Sequence, residues 1–425
     1  MKNNAFALKG NVIYTTDGKT LVSAEKAYLV CNENKVAGVF DELPKEFADV
    51  SVTDYGDRLI IPGLCDLHVH APQYAFRALG MDLELLPWLN AYTFPAEKKY
   101  ESDEYAKHAY GVFTAALHQS ATTRAAVFAT IHPHTTKLLM QMLDKTGIQA
   151  FVGKVNMDRN SPDYLCEGTE KSAADTELWL AQCEGSYKNI KPILTPRFIP
   201  SCTDELMEKL AGLQKKYNLP MQSHLSENTD EIAWVQELCP NSTCYADAYE
   251  SFGLFGGSCP TIMAHCVHPN AAELELLKQS GVMVAHCPQS NMNLCSGVAP
   301  VRTYLNEGVR VGLGSDVAGG AELSIFKAMA DAVRASKLRY SLCDKELAPL
   351  TVLEAFFLGT KGGGAFWGKV GSFEEGYEFD AVVIDDTNLN TSPDFATPQQ
   401  RLERVVYLSD DRNVEAKYIN GQKAR

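Results

Sequence analysis

Several familiar signals are missing from this chain, and each absence removes a class of function. None of the twelve cysteines forms a Cys-x-x-Cys pair, which argues against a zinc ribbon. Cys65, Cys266 and Cys287 lie in apolar runs, as buried free thiols of a reducing compartment do, and not as a disulfide framework does. No cluster of Lys and Arg occurs, and the net charge is −14. Binding to a phosphate backbone needs such clusters, so nucleic acid is not the expected partner. No apolar run approaches the roughly 18 residues of a membrane span. The opening "MKNNAFALKGNVIYTTDGK" lacks the basic region and apolar core of a signal peptide. The expectation is a cytoplasmic protein with no membrane partner. There is no internal repeat and no low-complexity tract. With 45% hydrophobic and 22% charged residues, the composition is that of an ordinary globular protein.

What is present has a clear order. The first sixty residues read as short strands, "NVIYTT", "KAYLVCN", "KVAGVF" and "LIIPG", with turns at "TDGK" and "NENK". The last sixty resume that style in "EFDAVVIDD", "RVVYLSD" and "AKYING". Between them, eight strand candidates alternate with helical stretches: "GLCDLHV", "TTRAAVFATI", "QAFVGKV", "KPILTPRF", "PMQSHLS", "TIMAHCV", "VMVAHCP" and "VRVGLGSD". Eight βα units in about 300 residues is the count of a (β/α)8 TIM-type barrel. An open doubly wound sheet would want a Gly-x-Gly-x-x-Gly turn after its first strand, and none follows. The expected architecture is α/β, with a barrel over 63–364. A small β-sandwich domain is expected from both chain ends, 1–62 and 365–425.

The chemistry sits in the histidines. In "DLHVH", His68 and His70 are two apart on a strand, so both rings leave the same face. Alone, such a pair is either a metal site or nothing. Five of the ten histidines, however, fall at carboxyl ends of strand candidates: His68, His70, His224, His265 and His286. Asp316 ends the eighth strand. Active groups of barrel enzymes come from these ends. Three neutral imidazoles and one carboxylate (His68, His70, His224 and Asp316) suit zinc, with iron or another divalent ion as alternatives. The fourth strand ends in Arg197 and Phe198 where two-metal barrels carry a bridging lysine, so one ion per subunit is expected. Such an ion lowers the pKa of its water toward about 7. Glu227, three residues past His224, can shuttle that proton or can belong to the cap of the next helix. His265 can hold the attacking hydroxide, act as a fifth ligand, or sit in the core. A second pair, His132 and His134, is interrupted by Pro133 and reads as loop. His286 is expected to support the site from behind.

At these residues the chain resembles the amidohydrolase superfamily, through "PGLCDLHVH", "SHLSEN", "MAHC" and "GSDVAGG". Within it, "HAPQY", "YTFPAE", "TPRF" and "AHCPQSN" resemble the guanine deaminase family over nearly the whole length. The resemblance implies zinc on His68, His70, His224 and Asp316, and guanine against Gln73, Arg197 and Phe198. It also implies a homodimer working in purine catabolism. Pro72 stands where a small polar residue is expected. Gln73 offers a donor and an acceptor to a purine edge, and Arg197 donates to O6. Phe198 and Trp88 offer apolar surface, or belong to the core. The implied reaction attacks C2 of guanine while Glu227 protonates N3, with the tetrahedral centre held by the metal, His265 and Asp316. Ammonia leaves and xanthine remains. Deaminases of other aminopurines or pterins, a cyclic-amide hydrolase and a catalytically dead scaffold are the competing readings. The His/Cys/Cys pattern of a different group of nucleobase deaminases is absent here, so the fold differs.

Overall fold

The computed structural model describes residues 5–389, 394 and 396–425. Eight strand positions run in parallel, each followed by helix. They are Leu64–His70, Thr122–Phe128, Gln149–Gly153, Ile190–Pro192, Met221–Leu225, Thr261–His265, Met283–His286 and Arg310–Leu313. The third and fourth continue in the short pair Val155–Asn156 and Thr195–Pro196. The first four pair in sequence order, as do the last four. A parallel bridge between Leu194 and Met221 joins the two halves. On the other side, Asp316 N–H donates to the His68 carbonyl (2.8 Å) and His70 N–H to the Val317 carbonyl (3.2 Å). The ring therefore closes and leaves no free edge.

Alternation along the strands explains the packing. Leu67, Ala126, Ile262, Ala264, Met283, Ala285 and Cys287 fill the barrel interior. Their neighbours Val127, Met263 and Val284 turn outward against the helices. Both faces are covered, which is why these strands read as unbroken apolar runs. Three strands stop earlier than their apolar runs suggest. At or just past these ends Ser226, His265, Cys266 and Asp316 take left-handed backbone with φ of 47°, 74°, 47° and 45°, which turns the chain out of the extended conformation.

The chain ends meet in one sheet. Phe6–Thr15, Leu21–Asn32, Lys35–Phe40 and Ser51–Pro62 join Ala381–Ile384, Val414–Ile419 and Gln422–Lys423. The ladder is continuous over seven strands. It shifts register between Gly10 and Val12, a bulge of the kind that bends a strand. Leu59 and Ile61 face the barrel core, whereas Ile60 faces a separate core with Leu29, Phe379 and Val383. Arg124 of the second barrel strand is buried and donates to Asp380 (2.6 and 3.1 Å) and Glu378 (2.7 Å). This fork ties the barrel to the sheet.

"RVVYLSD" is not a strand. It lies largely in the helix Pro398–Leu408, which opens with a Thr397–Gln400 capping box and Pro398 at its start. Leu402, Val405 and Val406 are its buried stripe, at helical spacing. The two adjacent valines imitate strand propensity; the cap decides otherwise.

Candidate active site at the carboxyl ends of the barrel strands

The strand ends converge on one pocket of about 450 Å³, within the usual range for a small-molecule site. Its wall includes His70, Gln73, Trp88, Arg197, Phe198, His224, Glu227, His265 and Asp316. His68 lies fully buried beneath it. The ten residues expected to act as ligands, catalytic groups or substrate contacts are thus brought to one place, with His68 beneath the others.

The geometry of four of them is that of a metal-binding set. His70 Nε2 lies 3.2 Å from both His68 Nε2 and His224 Nε2. Asp316 Oδ1 lies 3.1 Å from His68 Nε2 and 3.6 Å from His70 Nε2. Ligands about 2.0–2.1 Å from a tetrahedral centre stand about 3.3 Å apart, and these four distances are of that size; His68, His224 and His265 also come within ligand range of one another. Burial, with His68 beside them, pushes His70 and His224 well below the ordinary imidazole range. They are therefore neutral, with lone pairs free. The Arg197 carbonyl accepts His224 Nδ1–H at 2.6 Å, which fixes the tautomer that leaves Nε2 unprotonated. Burial opposes the charge on Asp316, yet His68, His265 and His70 hold its carboxyl well below the ordinary range. Cys287 also comes within ligand range of His265 and Asp316. Burial raises its thiol well above normal.

Beside this set stand Glu227 and His265, with Glu227 Oε2 and His265 Nε2 3.3 Å apart. Burial, then the charge of Asp316, pushes the Glu227 carboxyl well above its ordinary range. Ser296 donates to Glu227 Oε1 (3.2 Å). Glu227 is not the cap partner of the following helix: Asn228 and Glu231 form that capping box. Asn291 Oδ1 lies 2.8 Å from His265 Nδ1 and orients the ring. His265 and Asp316 both sit in the left-handed region, a strain of order 1 kcal/mol each that occurs at functional sites.

Gln73 lines the pocket despite Pro72. Pro72 falls in the first turn of the short helix Ala71–Phe76, where no backbone N–H is needed. Trp88 is almost buried, with Nε1 donating to the Leu79 carbonyl (3.0 Å). Phe198 meets Trp234 edge to face. His132 lies just before the helix Pro133–Asp144 and makes no side-chain cap hydrogen bond, whereas His134 lies in the first turn of that helix and not in a loop; neither lines the pocket. His286 is buried and likewise off the wall.

Four supports escaped the sequence reading. Asp66 accepts from Ser315 N–H (2.9 Å) and Ser315 Oγ–H (2.5 Å), fixing the turn that carries Asp316. Gly314 is required there, because a Cβ would come within 2.9 Å of the His68 Cβ. Glu97 joins Gln73 to Arg197. Glu231 lines the pocket and accepts from Tyr245, its carboxyl pushed to about 7 by burial and by Glu227. Asp66 and Glu97 stand inside the quoted motifs "DLHVH" and "YTFPAE", which was the available signal.

The comparisons with known proteins agree with this geometry. Residues 59–424 match the amidohydrolase family. The chain is 40% identical to the guanine deaminase of Dictyostelium discoideum over 383 residues, covering 88% of this chain and 84% of that one. It is 36% identical to the Homo sapiens guanine deaminase over 429 residues, covering 98% and 92%. Its structure is similar to that of the C. acetobutylicum guanine deaminase with guanine bound in the active site. There the TM-score is 0.95 at 48% identity, covering 99% of both chains. No helix among the described residues is long and apolar enough to cross a membrane. A closed barrel with its charged and imidazole groups at the strand ends, and likeness to these proteins over almost its full length, place the chain in the amidohydrolase family, among the guanine deaminases.

Proposed function

We propose that the chain hydrolyses guanine to xanthine and ammonia, with one zinc ion on His68, His70, His224 and Asp316. Iron or another divalent ion is the alternative occupant. The observation that carries the reading is one pocket with the two halves such a reaction needs. A converging set of Nε2 and carboxylate donors lies beside Glu227. Gln73 and Arg197, able to read a purine edge, line the same cavity. The bound guanine of the C. acetobutylicum structure supports the same substrate here.

An ion in this set, when bound, supplies hydroxide at neutral pH. Glu227 takes the proton released by water and delivers it to N3 as the C2–O bond forms. Its raised pKa suits both halves of that transfer. His265, held at Nδ1 by Asn291, keeps Nε2 beside the reacting oxygen. Asp316 stays ionised and offsets the positive charge around it. Glu227 then carries the hydroxyl proton to the 2-amino group, the C2–N bond breaks, and ammonia leaves. Water has been added and ammonia lost, so the atoms balance. Gln73 and Arg197 hold the ring edge, with Phe198 and Trp88 as apolar walls that keep water off its face. We assign catalysis to 63–364 and the supporting sheet to 1–62 with 365–425. We also propose a homodimer in the cytoplasm, which light scattering and cell fractionation test.

The deciding experiment incubates metal-replete protein with guanine and follows ammonia and xanthine, with adenine, 8-oxoguanine and a pterin in parallel. Selective release from guanine is expected. Release only from another substrate overturns the assignment of Gln73, Arg197 and Phe198 to guanine.

A further inference from the structure

Glu97 lies in the short helix Phe94–Lys98 and is 1% exposed. It does not line the pocket, yet it divides its two oxygens between the residues that do. Oε1 accepts from Gln73 Nε2 (3.2 Å) and Oε2 from Arg197 Nη1 (2.8 Å). On its other side, Gln73 Oε1 accepts the Ala318 N–H (3.2 Å). A carboxylate only accepts and a backbone N–H only donates. The Gln73 amide can therefore be turned one way only, with one N–H and one lone pair left over. The guanidinium of Arg197 is anchored at one corner of its fork, and the Phe94 ring lies 5.4 Å from its Cζ. The chain of contacts does not stop there. The Arg197 carbonyl holds His224, and Ala318 is two residues from Asp316. One hydrogen-bonded line thus runs from His224 through Arg197, Glu97 and Gln73 to the backbone two residues past Asp316.

We infer that Glu97 is the positioning residue that sets substrate selectivity: it fixes the donor and acceptor faces of Gln73 and the angle of Arg197. The base it favours is a purine with an oxo group at C6 and a hydrogen on N1. This inference rests on the proposed guanine site. A site whose polar groups are held for a given edge rejects an analogue lacking that edge far more strongly than an apolar pocket rejects a missing methylene. An amide free to flip offers either face and loses that discrimination.

The test compares kcat/KM for guanine and for 2-aminopurine, which keeps the 2-amino group but lacks the 6-oxo group. Glu97→Gln is expected to reduce the guanine to 2-aminopurine ratio at least tenfold, mostly through the KM of guanine. Glu97→Asp keeps the charge but is one methylene too short to reach both partners. It is expected to show the same loss in smaller measure, and serves if Glu97→Gln does not fold. Calorimetric titration of xanthine, which keeps the 6-oxo and N1–H edge, into the metal-loaded protein reads the loss without turnover. A merely structural residue would lower both substrates together. A ratio within twofold of wild type in a folded variant overturns the role of Glu97. Wild-type protein inert toward guanine would instead overturn the site reading beneath it.

Discussion

Replacing Glu227 with Gln isolates the proton shuttle from everything else in the pocket. The side chain is 4% exposed, and glutamine has almost the same volume, so no cavity is opened. Ser296 can still donate to the remaining Oε1, and the backbone N–H of residue 227 still meets Glu231 at 3.1 Å. The four side chains proposed to hold the metal make no hydrogen bond to Glu227; His265 Nε2 lies 3.3 Å from its Oε2. What disappears is the capacity to take and give a proton at that point. Positioned general acid–base groups contribute about 10²–10⁴ in rate, or roughly 3–5 kcal/mol of barrier. Because one carboxyl serves both proton transfers, kcat is expected to fall about 10³-fold. KM should stay within about fivefold, since Gln73 and Arg197 are untouched. Xanthine formation by absorbance with coupled ammonia detection gives the rates, and elemental analysis gives the metal. A kcat within tenfold of wild type, with metal bound, would refute the shuttle. Loss of metal in this variant would show that Glu227 belongs to the ligand set.

His224→Ala removes one of three convergent imidazoles, so bound metal should fall severalfold or more by elemental analysis; an unchanged count removes His224 from the set. Stripping metal with a chelator should abolish turnover and lower Tm, because facing lone pairs 3.2 Å apart then lose the cation between them, and added zinc should restore both. Arg124→Met leaves Asp380 as a buried charge without its guanidinium, which costs about 3–5 kcal/mol; chemical denaturation measures it, and Arg124→Met with Asp380→Leu should recover most of the loss. Glu273, buried against Ser226 and the Ala246 N–H, has its carboxyl raised by burial from 4.5 to about 7. The folded chain holds the extra proton between those values, so this group's stabilisation is full below about pH 4.5 and is lost as pH rises through 7. The span is about 3 kcal/mol at most. Glu273→Gln should therefore gain Tm relative to wild type as pH rises from 5 to 8, and a constant difference would contradict the assignment.

The separation between what is local and what is global runs through particular residues. His68 and His70 were legible because a strand puts i and i+2 on one face whatever surrounds it. The eight βα units were legible because strands covered on both faces must be apolar throughout. "RVVYLSD" misled for the opposite reason: two valines satisfy either period, and only the Thr397 cap and the packing of Leu402 against the core choose the helix. The single ladder of seven strands depends on which edges meet, and pairing between the two chain ends lies outside any local window. Glu97 and Asp66 stood in plain view within their motifs, but a carboxylate announces nothing until its partners arrive. By itself, then, the sequence determined the barrel, the donor types and their places at strand ends, because periodicity and residue chemistry are local. The tertiary structure alone decided that Glu97 would bridge Gln73 and Arg197 and that Asp66 would hold the turn before Asp316. Hydrogen-bond partners and burial are set by residues far apart in the chain: Asp66 and Ser315 are 249 positions apart, and only closure of the barrel brings them together.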